Sequence, residues 1–108
     1  MEKILGKIDF AEFGTFKDRP FLIGIQFGFL IGGYGVMDGG KYTVNISKDC
    51  HWDSSSEREH AITLSIERVA QLLKDAKVNY VSELIGKPVE VTLEGSCFKD
   101  FRILTEVI

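Results

Sequence analysis

Eighteen consecutive uncharged residues, Pro20 to Met37 (PFLIGIQFGFLIGGYGVM), constrain this chain more than anything else in it. A helix of that length would just span the apolar core of a bilayer. Gly24, Gly28 and Gly32 would then recur at the spacing of packed membrane helices. As a strand the run sorts by parity. Phe21, Ile23, Ile25, Phe27, Phe29 and Ile31 fall on one face, and Leu22, Gly24, Gln26, Gly28 and Leu30 on the other. Such sorting is the signature of a pleated strand with one face in a core. Five glycines and a leading proline also lower the helix propensity. The run therefore reads as a strand, and no membrane partner is expected.

The rest of the chain is consistent with one small domain. Its 108 residues are near the commonest domain size, and eight Phe supply the centre of a core. The net charge of −3, with no Lys/Arg cluster, argues against a nucleic-acid partner. Cys50 and Cys97 are the only cysteines, too few for a disulfide scaffold, and they read as reduced thiols of a cytosolic protein. Charge interrupts the opening MEKILGKIDF too early for a secretory signal.

Residues 3–11 alternate Ile4, Gly6, Ile8, Phe10 against Leu5, Lys7, Asp9, Ala11, which predicts a first strand. Residues 13–20 read as a loop. The second strand covers about 21–30. Gly32-Gly33 suits a two-residue hairpin turn, because both positions tolerate positive φ. A short third strand, 34–37, returns beside the second. After Asp38-Gly39-Gly40 a fourth strand shows Tyr42, Val44, Ile46 against Thr43, Asn45, Ser47.

The serines at 54–56 offer N-caps, with Glu57 or Glu59 at capping-box spacing. Ile62, Ile66, Val69, Leu73 and Ala76 form an apolar stripe opposite His60, Glu67, Gln71, Lys74 and Asp75, which predicts an amphipathic helix ending near 78–79. A single helical turn over 81–85 follows. Gly86-Lys87-Pro88 forces extended chain. Val89, Val91 and Leu93 mark a fifth strand. A last strand carries Phe101, Ile103, Thr105 and Val107 on one face. The expected fold is α+β: a largely antiparallel sheet of five to six strands, ordered β-β-β-β-α-β-β and packed by one long helix.

Three segments carry a resemblance: Leu72 to Val78, Glu83 to Thr92 (ELIGKPVEVT), and Phe101 to Val107 (FRILTEV). Together with Cys50-x-Trp52 and the Gly35-Val36 pair, they resemble a family of small uncharacterised proteins of tailed phages and prophages. The resemblance covers the C-terminal half well and the N-terminal half loosely. Its segments are a helix end, a turn and strands, so no active site comes with it. It implies a phage accessory protein in the host cytoplasm that counteracts a host defence.

Candidate sites are few. Gly28-x-x-x-Gly32-Gly33-x-Gly35 lacks the strand–glycine–helix context of a phosphate loop and reads as a hairpin. Cys50, His51, His60 and Cys97 have no metal-ligand spacing, and no cofactor or metal is expected; the plainer reading is a buried Cys97, a loop Cys50 and solvated histidines. Cys50 beside His51 offers a nucleophile and a base without a spacing signature, and Asp38, Asp49 and Asp53 carry no pattern.

Two places stand out. One is the small face of the second strand, Gly24, Gln26 and Gly28, where a ligand or another backbone could approach. The other is Lys48-Asp49-Cys50-His51-Trp52-Asp53 before the helix. There Trp52 could stack on a base or fill a partner's pocket, with His51 and Lys48 meeting negative charge. Its plainer role is to cap the helix end against the core. Tyr34, at the glycine hairpin, is a second exposed aromatic.

The expected function is a non-enzymatic one. Either the chain docks on a host defence protein, or it sequesters a small nucleotide-type signal. A small enzyme and a virion or assembly component are the alternatives. A sheet covered on one face by one helix leaves an apolar face over, so a homo-oligomer is expected.

Overall fold

The computed structural model describes residues 1–48 and 51–108. Its strands are β1 (Glu2–Thr15), β2 (Leu22–Ile31), β3 (Tyr34–Met37), β4 (Thr43–Asn45), β5 (Pro88–Glu94) and β6 (Cys97–Ile103). One helix, α1 (Ser55–Ala76), stands between β4 and β5. Short 3-10 turns occupy Val81–Leu84 and Thr105–Val107. The sheet order is β3-β2-β1-β5-β6, with β4 also on β2. All pairings are antiparallel, so the α+β class holds.

The uncharged run is therefore strand, hairpin and strand. Gly32 and Gly33 take φ of +53° and +92°, the positive pair that a type I′ turn requires, and Ile31 pairs with Tyr34. No described helix is long and apolar enough to cross a membrane. Parity works as expected in β2: Ile25, Phe27, Phe29 and Ile31 are buried. Ile23 is only half-buried, and Phe21 lies in a turn before the strand and is 40% exposed.

β1 departs from simple alternation. Register slips between Ile8 and Phe10, so Asp9 is an extra residue. Such a bulge inverts parity downstream. Ala11, not Phe10, therefore joins Ile8 in the core. β1 also runs to Thr15, through the expected loop, because pairing with β2 from Lys7 to Thr15 outweighs the loop signal of Gly14. β1 is shared lengthwise: Glu2–Lys7 pair with β5.

The core lies between one sheet face and α1. Phe27, Phe29, Tyr42, Phe98 and Phe101 form a ring cluster, with centroids 4.8 Å apart for Phe29–Phe101 and 4.9 Å for Phe27–Phe101. Ile8, Leu84, Val89 and Val91 complete the floor. Val69, Leu72, Leu73 and Ala76 bring the C-terminal half of α1 onto it. Ile66, expected in the buried stripe, is 55% exposed, because the N-terminal half of α1 passes the edge of the packed region.

Local signals set the helix ends. The Ser54 hydroxyl accepts from the Glu57 amide at 3.2 Å. At the other end Lys77 adopts φ 59°, ψ 42°, and its amide reaches Leu73 and Lys74 carbonyls. The last strand stops at Ile103. Thr105 and Val107 lie in a 3-10 turn instead of continuing it, and Val107 is exposed.

Candidate functional site

The glycine face of β2 has an internal explanation. A Cβ on Gly24 would lie 2.3 Å from the Tyr42 carbonyl oxygen and 2.8 Å from Thr43 Cα. Gly24 is thus the place where β4 crosses close, and the approaching backbone is the chain's own. On Gly28 a Cβ would meet Asp9 Oδ1 at 2.9 Å, Phe10 Cβ at 3.0 Å and Met37 Sδ at 3.1 Å. Phe10 and Met37 flank Gly28 on the two neighbouring strands, so their side chains lie over it. Gln26, between the two glycines, is half-buried opposite Glu12.

The aromatic candidates do not converge. Tyr34 is 78% exposed beside Ile31, at the far end of β2. β4, which leads to Lys48, pairs with Leu22–Gly24 at the near end. At about 3.3 Å per residue, the length of β2 separates the two ends by roughly 30 Å. Lys48 and His51 are exposed and Trp52 is half-buried. Trp52 Nε1 is buried without a hydrogen-bond partner among the described residues. Asp49 and Cys50 lie outside the described residues, and with them the Cys50 thiol. The Glu57 amide already donates to Ser54, which reduces the donors free at the start of α1.

Cys97, expected to be buried, is exposed, because it opens the edge strand β6 beside the turn. Among the described residues no three His, Cys, Asp or Glu side chains gather as metal ligands.

The groups with perturbed chemistry hold the fold together. Asp38 is 6% exposed, and its carboxylate accepts from the amides of Phe27 at 3.0 Å and Gly40 at 3.1 Å. Its own amide donates to the Phe27 carbonyl. Asp38 thereby fills the gap between β3 and β4 along the outer edge of β2. Burial pushes its pKa up, against the pull of those amides.

Tyr42 donates to Asp100 Oδ1 at 3.1 Å. Burial, then the Asp100 carboxylate, raises its pKa, so the hydroxyl stays a donor. The Arg68 guanidinium lies 4.8 Å above the Tyr42 ring. Lys41 Nζ lies 5.8 Å from the same ring and 4.0 Å from Asp100, and it donates to the Lys99 carbonyl. This corner of Lys41, Tyr42, Arg68 and Asp100 closes the open end of the ring cluster. No local pattern in the sequence points to this corner, since Tyr42 and Asp100 stand 58 positions apart.

On the sheet face away from α1, register aligns side chains in rows. Met37, Gly28 and Phe10 share one row, and Leu30 and Lys7 the next. Leu5, Glu90 and Arg102 form a further row, followed by Lys3, Thr92 and Asp100. Leu5 is 65% exposed and Met37 is 56% exposed. Arg102 is held by Glu90 at 3.2 Å and by Glu106.

Comparison of the chain with protein-family models, with curated proteins and with solved structures finds no match among them.

Proposed function

We propose that the chain is a non-enzymatic phage accessory protein that counteracts a host defence by binding a host protein. The phage assignment rests on the resemblance of the helix end, the GKPVEVT turn and strand, and the FRILTEV segment. One observation carries the choice of a protein target over a nucleotide. On the open sheet face the exposed apolar side chains are spread out, with Leu5 and Met37 on either side of Phe10 and Leu30, and they do not converge on a pocket there. A nucleotide site needs concave walls and a stacking platform. Here the rings of Phe27, Phe29, Phe98 and Phe101 are committed to the core, and Tyr34 stands at the end of β2 away from β4, the strand that leads toward Trp52. A flat face on which apolar side chains alternate with the charges of Lys3, Lys7, Glu90 and Arg102 suits a protein interface.

Two experiments test this reading. Native mass spectrometry with cyclic dinucleotides and ADP-ribose-type signals should show no stoichiometric mass gain. Pull-down with the intact chain should retain a host defence protein. That capture should be lost in Leu5→Asp and Met37→Asp and kept in the helix-face control Gln71→Ala. A retained, unmodified nucleotide would establish the sequestering reading instead. Loss of function in Cys50→Ser or His51→Ala alone, with binding intact, would point to an enzyme.

A further inference from the structure

Hydrogen-bond accounting leaves one strand segment half used. β1 has β2 along one side from Lys7 to Thr15. On its other side β5 reaches only the start of that stretch. The last links are the Ile8 amide donating to Lys87 at 3.1 Å and the Gly86 amide donating to the Ile8 carbonyl at 2.6 Å. From Phe10 to Thr15 no strand pairs with that side among the described residues, and the 3-10 turn Val81–Leu84 packs against β1. An antiparallel strand directs the amide and carbonyl of every second residue to each side, so this edge presents unpaired groups.

The edge is lightly guarded, by the Asp9 bulge at its head and the one charge of Glu12. Phe10-Ala11-Glu12-Phe13-Gly14-Thr15 contains one charge and no proline. The outer edge β6 is different: it carries Lys99, Asp100 and Arg102, and Lys41 caps the Lys99 carbonyl. Beside the bare edge, on the core side, lies an apolar groove of about 250 Å³ lined by Phe13, Ile23, Val44, Ile62 and Ile66. Phe13 points to the core side yet is 46% exposed, and Ile66 is 55% exposed.

We propose that this edge pairs with the same edge of a second copy of the chain, forming an antiparallel β1–β1 dimer with one continuous sheet. The segment is self-complementary in one two-fold register, and that argues for a second copy as the occupant. In a two-fold pairing that keeps like faces together, residues of equal parity must oppose each other. Centring on Phe13 places Phe13 opposite Phe13 of the second copy, Ala11 opposite Thr15, and Glu12 opposite Gly14. That arrangement gives an aromatic pair at the mouth of the groove and sets the one charge against a glycine. Centring on Glu12 would oppose two like charges and is disfavoured. The same symmetry keeps both α1 helices on one side, where the exposed Ile66 of each lies towards the junction. The open face of both copies stays free, so the dimer goes beyond the partner-binding reading and does not depend on it.

The intact chain alone tests this. Analytical ultracentrifugation across the micromolar range should show a dimer. Phe13→Lys should weaken association by roughly tenfold or more, with an unchanged circular dichroism spectrum. Directly opposed Cα atoms lie about 4.5–5.5 Å apart, inside the disulfide range. Phe13→Cys, with Cys50→Ser and Cys97→Ser, should therefore cross-link into a covalent dimer under mild oxidation, and this arm stands even if the lysine variant folds poorly. A monomer at every concentration, or a dimer in which Phe13→Cys does not cross-link, overturns the proposal.

Discussion

Three glycines within two paired strands should respond to the same substitution in ranked order, for reasons visible in their surroundings. At Gly24 a methyl group meets backbone, the Tyr42 carbonyl at 2.3 Å and Thr43 Cα at 2.8 Å. Backbone cannot turn away as a side chain can. Gly24→Ala must therefore push β4 off β2 and loosen Tyr42 and Val44. Overpacking costs about 1–3 kcal/mol, and the loss of a strand pairing places this case at the top of that range. At about 4 °C per kcal/mol for a domain of this size, Tm should fall by about 12 °C. At Gly28 the contacts include Asp9 Oδ1 and Met37 Sδ, the movable ends of exposed side chains, with Phe10 Cβ the firmer obstacle. About 1 kcal/mol is expected there. At Gly14 nothing lies within 4 Å and φ is not positive. Gly14→Ala should be neutral or stabilising by up to about 1 kcal/mol, because alanine restricts the unfolded chain. Urea unfolding followed by circular dichroism, read as midpoint and slope, measures all three. A Gly24→Ala midpoint equal to that of Gly28→Ala, or a destabilised Gly14→Ala, would refute the close-approach argument.

Asp38→Asn should destabilise by about 1–3 kcal/mol at neutral pH, because one amide oxygen replaces two carboxylate acceptors and leaves a buried N–H unpaired. The folded-state pKa of Asp38 lies above the ordinary 3.8, so the folded protein holds that proton more tightly. Its contribution to stability is greatest below pH 3.8 and falls as pH rises through the raised pKa; the gap between wild type and Asp38→Asn in urea titrations should widen toward acid, and a narrowing gap would contradict it. Tyr42→Phe removes the bond to Asp100 and should lower stability by about 1 kcal/mol, measured by thermal unfolding. Lys77→Gly should raise stability by up to about 1 kcal/mol, since Lys77 occupies the left-handed region that glycine enters without strain; an unchanged Tm would mean that the cap geometry is not strained in solution.

Legibility in the sequence followed the range of each interaction. The Ser54 cap, the Gly32-Gly33 hairpin and the alternation of Val89, Val91 and Leu93 are local, and each appears in the structure as read. Errors arose where a distant strand intervenes. The bulge at Asp9 exists because β1 must fit β2 as well as β5, so the parity of Phe10 and Ala11 could not be read from the run itself. The alternation read for the last strand failed at Thr105, where the edge strand has no neighbour to extend along. Gly24 and Gly28 invited a ligand reading because a glycine reports close approach without saying by what. Only packing shows that Tyr42, Phe10 and Met37 are what approaches.

Sequence alone determined the type and order of the elements, the apolar face of β2 and the α+β class, because periodicity and turn chemistry are carried by neighbours along the chain. Tertiary structure decided strand order, the sharing of β1 between two half-sheets, the Lys41–Tyr42–Arg68–Asp100 corner and the bare Phe10–Thr15 edge. Each of these depends on which residues meet across long separations, where loop closure and the filling of one common core, not local preference, select the partner.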